Sequence, residues 1–144
     1  MSRRAGALIA LCMAVAASPA IAETVFVEGH VFDMRTGAPV ALAGVVIFAP
    51  GSTHQPVIII GKPGSTDGSG FYTIELELDS IDRNLLDVLD ISASCLKHLG
   101  VRTTDRLTNR LRLRPGTVRR DFYIGGLPHR RGPIRCLSPS SLEP

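Results

Sequence analysis

Histidine, tyrosine, cysteine and arginine are the side chains in this sequence best suited to ligation, proton transfer or anion recognition. The four histidines, His30, His54, His98 and His129, stand far apart, and no pair has metal-ligand spacing. Cys95 and Cys136 lack the C-x-x-C spacing of a redox motif or zinc site. An even pair of cysteines in an exported chain is most simply a disulfide, with two separated thiols, or zinc shared with two histidines, as the alternatives. No metal or other cofactor is expected. The glycine-dense stretch GKPGSTDGSG at residues 61–70 invites a phosphate-cradle reading, but it lacks the Gly-Lys-Ser/Thr ending and feeds a strand, whereas phosphate cradles feed a helix.

Arginine is the least ordinary feature. Residues 23–100 carry 4 basic and 10 acidic side chains, whereas residues 101–144 carry 10 arginines and 3 acids. Two alternating runs, residues 107–114 and 117–124, flank Pro115 and Gly116. A two-residue turn there would face Arg114 with Thr117, Arg112 with Arg119 and Arg110 with Asp121. The like-charged pair Arg112 and Arg119 would be relieved by an anion. Arg110, Arg112, Arg114 and Arg119 are therefore the candidate binding residues, for lipopolysaccharide, acidic lipid headgroups, acidic glycans or an acidic protein. A solvated positive edge that resists sheet-to-sheet pairing is the competing reading. Nucleic acid is not an expected partner of an exported chain.

The elements that must position these residues begin after an export signal. Arg3 and Arg4, an apolar stretch over residues 5–17 and the Ala20-x-Ala22 pattern have the anatomy of a cleaved signal peptide over residues 1–22. The apolar stretch is short for a bilayer span of about 20 residues, so no membrane-spanning segment is expected after cleavage. The remaining length suits one domain, residues 23–126, with a Pro- and Arg-rich tail over 127–144.

Val25, Val27, Gly29 and Val31 alternate along a first strand, with Phe26, Glu28, His30 and Phe32 on its other face. A turn through Gly37 and Pro39 leads to a second strand over residues 43–49, stopped by Pro50 and Gly51. Residues 57–60 read as a short buried strand of β-branched residues. The glycines of residues 61–70 predict a loop. Tyr72, Ile74, Leu76 and Leu78 then alternate inward along a strand. Residues 79–89 predict one helical turn capped by Ser80, with Asp82 in its first turn and Leu85, Leu86 and Leu89 facing the core. Strands over residues 90–96, 98–104, 107–114 and 117–124 complete an all-β sandwich of seven or eight antiparallel strands.

Two runs carry a family likeness. Gly29, Val31, Asp33, Thr36, Gly37, Pro39, Gly44, Val45 and Ile47 follow G-x-V-x-D, T-G-x-P and G-V-x-V, and Thr66, Asp67, Gly70, Tyr72 and Ile74 follow T-D-x-x-G-x-Y-x-I. In this order and spacing they resemble the carboxypeptidase regulatory-like domain, a transthyretin-like β-sandwich. Ala41 and Leu42 lengthen the family's Pro-to-Gly segment, which predicts a bulge or wider loop. The resemblance implies that Gly29, Asp33, Gly37, Pro39, Gly44, Asp67, Gly70 and Tyr72 are structural. It also implies an accessory module that folds, docks or binds, with its partner on another chain.

Related sandwiches include a ureide hydrolase with a C-terminal Tyr-Arg-Gly-Ser motif and dioxygenases that hold iron with two Tyr and two His. Here the last strand ends Tyr123-Ile124-Gly125-Gly126, and Tyr72 stands where the family buries a core aromatic. The expectation is a non-catalytic module, periplasmic or extracellular, that binds a protein or an anionic envelope component or glycan. A small hydrolase or metal-dependent enzyme of the envelope is the alternative.

Overall fold

The computed structural model describes residues 22–98, 101–125 and 133–137; the expected signal peptide, but for Ala22, and most of the tail lie outside them. Eight strands form two sheets. They are β1 (Thr24–Asp33), β2 (Gly44–Ala49), β3 (Ile58–Ser65), β4 (Phe71–Glu77), β5 (Asp90–His98), β6 (Val101–Arg110), β7 (Gly116–Arg119) and β8 (Phe122–Ile124). One sheet runs β4-β1-β7, with β8 also on β1; the other runs β3-β2-β5-β6. Val25, Val27 and Val31 of β1, Tyr72, Ile74 and Leu76 of β4, and Val45, Ile47, Ile91 and Ala93 of the opposing sheet fill the space between. The alternation read from the sequence thus sorts β1 and β4 correctly, because a side-chain period of two aims every second residue at the facing sheet.

Pairing within the sheets differs from the expectation at the C-terminal end. β7 and β8 lie parallel to β1, in registers centred on Val27 beside Val118 and Phe32 beside Tyr123, so this sheet is mixed. The backbone that would form a hairpin around Pro115 and Gly116 instead crosses from one sheet to the other. Leu111 leaves β6 fully buried, its N–H donating to Leu89, and Gly116, at φ 94°, opens β7 in the other sheet. Residues 101–104 and 107–110, read as parts of two strands, belong to the single strand β6, while His98 ends β5.

The glycine-rich stretch, expected as a loop, is in its first half strand. β3 runs on through Ser65, because the three residues 61–63 bulge opposite the single residue Val46: Ile60 pairs with Ile47 and Gly64 with Val45. Gly61 takes φ 68° there, where Leu76 packs against the space a Cβ would fill. The predicted helical turn is two 3-10 turns, Leu78–Ser80 and Arg83–Leu85. The second is capped by Asp82, whose carboxylate accepts the Asn84 N–H at 2.9 Å, while the Ser80 hydroxyl, in the first, donates back to the Glu77 carbonyl. Leu89 is buried as expected.

Ala41 and Leu42 form a tight turn with Leu42 at φ 58°. Buried Thr66, just past the end of the neighbouring strand β3, holds that turn. Its hydroxyl accepts the Ala43 N–H at 2.8 Å and donates to the Val40 carbonyl at 2.7 Å, leaving neither backbone group stranded in the core.

Candidate functional site

The four candidate arginines are exposed, but they do not form the face inferred for them. Arg110 ends β6 beside Asp90, with Nε 3.3 Å from its carboxylate, and does not face Asp121. Arg112 and Arg114 lie in the crossing segment, and Arg119 is on β7 beside Glu28 of β1. The register that would confront Arg112 with Arg119 is absent, because β7 spends its hydrogen bonds on β1. The need for a neutralising anion disappears with it.

Most of the other candidate residues hold backbone. Asp121 interrupts the β7–β8 edge and supplies through its carboxylate an acceptor for the His30 N–H, at 2.8 Å; the His30 ring lies 3.8 Å from the same oxygen. Tyr72 reaches across the core face and donates its hydroxyl to the Arg120 carbonyl at 2.7 Å. Burial pushes that phenol's pKa well up, with the Asp121 charge adding to the effect. Asp33, buried at the end of β1, accepts the Arg35 N–H and, from 101 positions away, the Ile134 N–H at 3.2 Å. Cys95 and Cys136 are joined in a disulfide with Cα atoms 5.0 Å apart, tying residues 133–137 to β5. Gly37 and Gly70 take φ 69° and 76°, and Pro39 bridges to Phe32. Gly44 opens β2 with ordinary space at its Cα.

Asp67 builds the turn into β4. One carboxylate oxygen accepts the Ser69 hydroxyl and the N–H groups of Ser69 and Phe71. These bonds, the Ser69 hydroxyl foremost, and the charge of nearby His30 hold the Asp67 pKa below its ordinary 3.8. A carboxylate depressed in this way stabilises the fold above its unfolded-chain pKa, and that contribution is lost as pH falls through the lower folded-state value. Wild type is therefore expected to be more stable than Asp67→Asn at neutral pH. The gap in urea midpoint should close as pH drops below 3.8 and leave the neutral range flat.

Two surfaces are left with unexplained apolar exposure. On the outer face of β1, Phe71, His30, Phe32 and Tyr123 form a row with ring centroids 5.3, 5.6 and 5.4 Å apart. The His30 and Phe32 rings are nearly parallel, and so each covers part of its neighbour's face. The Ser69 hydroxyl donates to Asp67 and not to His30, so no Ser-His-Asp relay is assembled beside this row.

The second surface is the open side of the sandwich, where the edge strands of the two sheets, β3 and β4, flank a cleft of about 730 Å³. Buried Ile60, Ile74, Leu76 and Ile81 form its floor. Glu75, Glu77 and Asp82 line it against a single Lys62. At its rim Val57, Ile58 and Ile59 are 56, 45 and 51 % exposed. Residues 57–60, expected to be buried, are not: Ile60 alone is inside. A continuous apolar run gives no sign of which members are covered, since a strand buried on both faces and a strand on an uncovered edge spell the same letters.

Among the described residues no group of three or more His, Cys, Asp or Glu is arranged to hold a metal ion, and no helix is long and apolar enough to cross a membrane. No family model matches the chain, and no curated protein matches it. Among solved structures it is similar to a 9R-lipoxygenase from Cyanothece PCC8801, at 13% identity and a TM-score of 0.42 over 67% of this chain and 16% of that one. It is similar also to an (S)-allantoin synthase, at 11% identity and a TM-score of 0.41 over 72% of this chain and 43% of that one. The chain thus spans less than half the length of either protein, and likenesses this distant bear on neither activity nor ligand.

Proposed function

We propose that this protein is an exported, non-catalytic accessory module of the carboxypeptidase regulatory-like kind that binds another protein of the cell envelope. The observation that carries this reading is the uncovered apolar rim at Val57, Ile58 and Ile59 beside the β3/β4 cleft. Soluble monomers seldom leave contiguous apolar surface of this kind uncovered unless something docks there. Export is supported by the three-part N-terminus and by a disulfide, which persists in oxidising compartments. The accessory role is supported by what the motif residues do: Gly29, Asp33, Gly37, Asp67, Gly70 and Tyr72 position backbone, and none is left over for chemistry.

The reading is tested by affinity capture from an envelope extract, comparing wild type with Ile59→Lys. Ile59 is half exposed on an edge, so the substitution should leave the fold intact. A defined polypeptide retained by wild type and lost with the substitution is expected. Retention of no polypeptide by either protein would contradict the reading.

A further inference from the structure

We propose that the uncovered half of β3 takes up an extended segment of the partner by strand addition, and that this segment is apolar with lysine or arginine at its flanks. The inference rests on the binding-module reading above and names the mode and chemistry of its ligand.

β3 is an edge strand, hydrogen-bonded on one side to β2. In an antiparallel pair, alternate N–H and C=O groups of an edge strand point away from its neighbour, and among the described residues no strand pairs with that side of β3. The two halves of β3 treat that edge differently. The C-terminal half carries the usual protections: Pro63 has no N–H to offer, Lys62 places a charge, and the bulge at residues 61–63 breaks the register. The N-terminal half carries none of them. Ile58 and Ile59, and Val57 just before them, are exposed, β-branched and uncharged. A sheet that merely had to avoid stray pairing would be blunted along its whole edge. One blunted and one open half describe a short slot with a fixed end.

The walls of the slot choose the occupant. An added strand would alternate its side chains, one set over the apolar floor of Leu76 and Ile81 and the other outward. Glu75, Glu77 and Asp82 against Lys62 make the cleft acidic, so basic flanks complement it. A second copy of this chain is the poorer fit, because pairing β3 with β3 would bring two sets of the same carboxylates together.

The experiment uses the mature disulfide-bonded protein and two fluorescent peptide probes. They are Lys-Val-Thr-Val-Thr-Val-Lys and the same peptide with Glu at both ends. The Lys-ended probe is expected to bind about tenfold or more tightly than the Glu-ended one at low salt, with the ratio shrinking as salt rises. Glu75→Lys/Glu77→Lys, which alters two exposed side chains, should reverse the preference. Of two Lys-ended probes N-methylated at alternate residues in the two possible phases, one should lose binding and the other keep it, because one phase of N–H groups faces β3. The proposal is overturned if neither probe binds, if both bind equally, if N-methylation is harmless in both phases, or if the protein instead forms a dimer that Ile59→Lys dissolves. A polypeptide still captured from envelope extract by Ile59→Lys would overturn strand addition and leave the binding-module reading standing. Loss of all capture by wild type would remove that reading itself.

Discussion

Removing the Cys95–Cys136 bridge is expected to lower stability by about 4 kcal/mol, the chain-entropy value for a loop closed across 41 positions. Both cysteines are buried, and the segment between Pro133 and Leu137 is held by the disulfide, by the Asp33 carboxylate on the Ile134 N–H and by the partly buried Ile134 side chain. The double substitution Cys95→Ser/Cys136→Ser should therefore shift the urea midpoint strongly downward. Amide exchange should show residues 133–137 losing protection while the β1/β4 ladder keeps it at low denaturant. An unchanged midpoint would mean that the bridge constrains nothing in the unfolded chain.

Gly29→Ala is expected to cost about 3 kcal/mol or more. A Cβ at Gly29 would collide with the Arg120 carbonyl oxygen and lie 2.5 Å from its carbon. The obstacle cannot step aside, because the Arg120 N–H donates to the Glu28 carbonyl at 2.8 Å and the Arg120 carbonyl accepts the Tyr72 hydroxyl at 2.7 Å. Moving it would break one of these bonds and leave a polar group unpaired near the core. Gly44→Ala is the control. A Cβ there would sit 3.8 Å from the Ser94 hydroxyl oxygen, an ordinary contact, and should change stability by less than about 1 kcal/mol. Urea unfolding of the two variants beside wild type measures the contrast; equal midpoints for Gly29→Ala and Gly44→Ala would refute it.

These two positions show what the sequence made legible. Gly29 and Tyr72 can be matched to a family pattern as letters, but what joins them is the remote Arg120 carbonyl, which accepts the Tyr72 hydroxyl and lies where a Cβ at position 29 would be. The inward faces of β1 and β4 were readable because burial on one side enforces alternation. The destination of residues 116–124 was not. A run of period two looks the same whether it pairs with the strand before it or with β1 across the sheet, and Pro115 with Gly116 suggested the nearer partner. The arginine face fell with that register. Residues 61–65 were hidden for the opposite reason: glycine and proline signal a loop, yet a bulge lets β3 absorb them. The exposed rim was hidden most completely, since among the described residues no strand pairs with the outer side of Ile58 and Ile59, and no local pattern encodes that.

The open half of β3 is the proposed seat of the partner's strand, and amide hydrogen exchange on residues 23–144, free and with the polypeptide captured from envelope extract, maps where the partner lies. New protection is predicted at residues 57–61 and along the facing edge of β4. Protection confined to the outer face around His30, Phe32 and Tyr123, with residues 57–61 unchanged, would contradict the account.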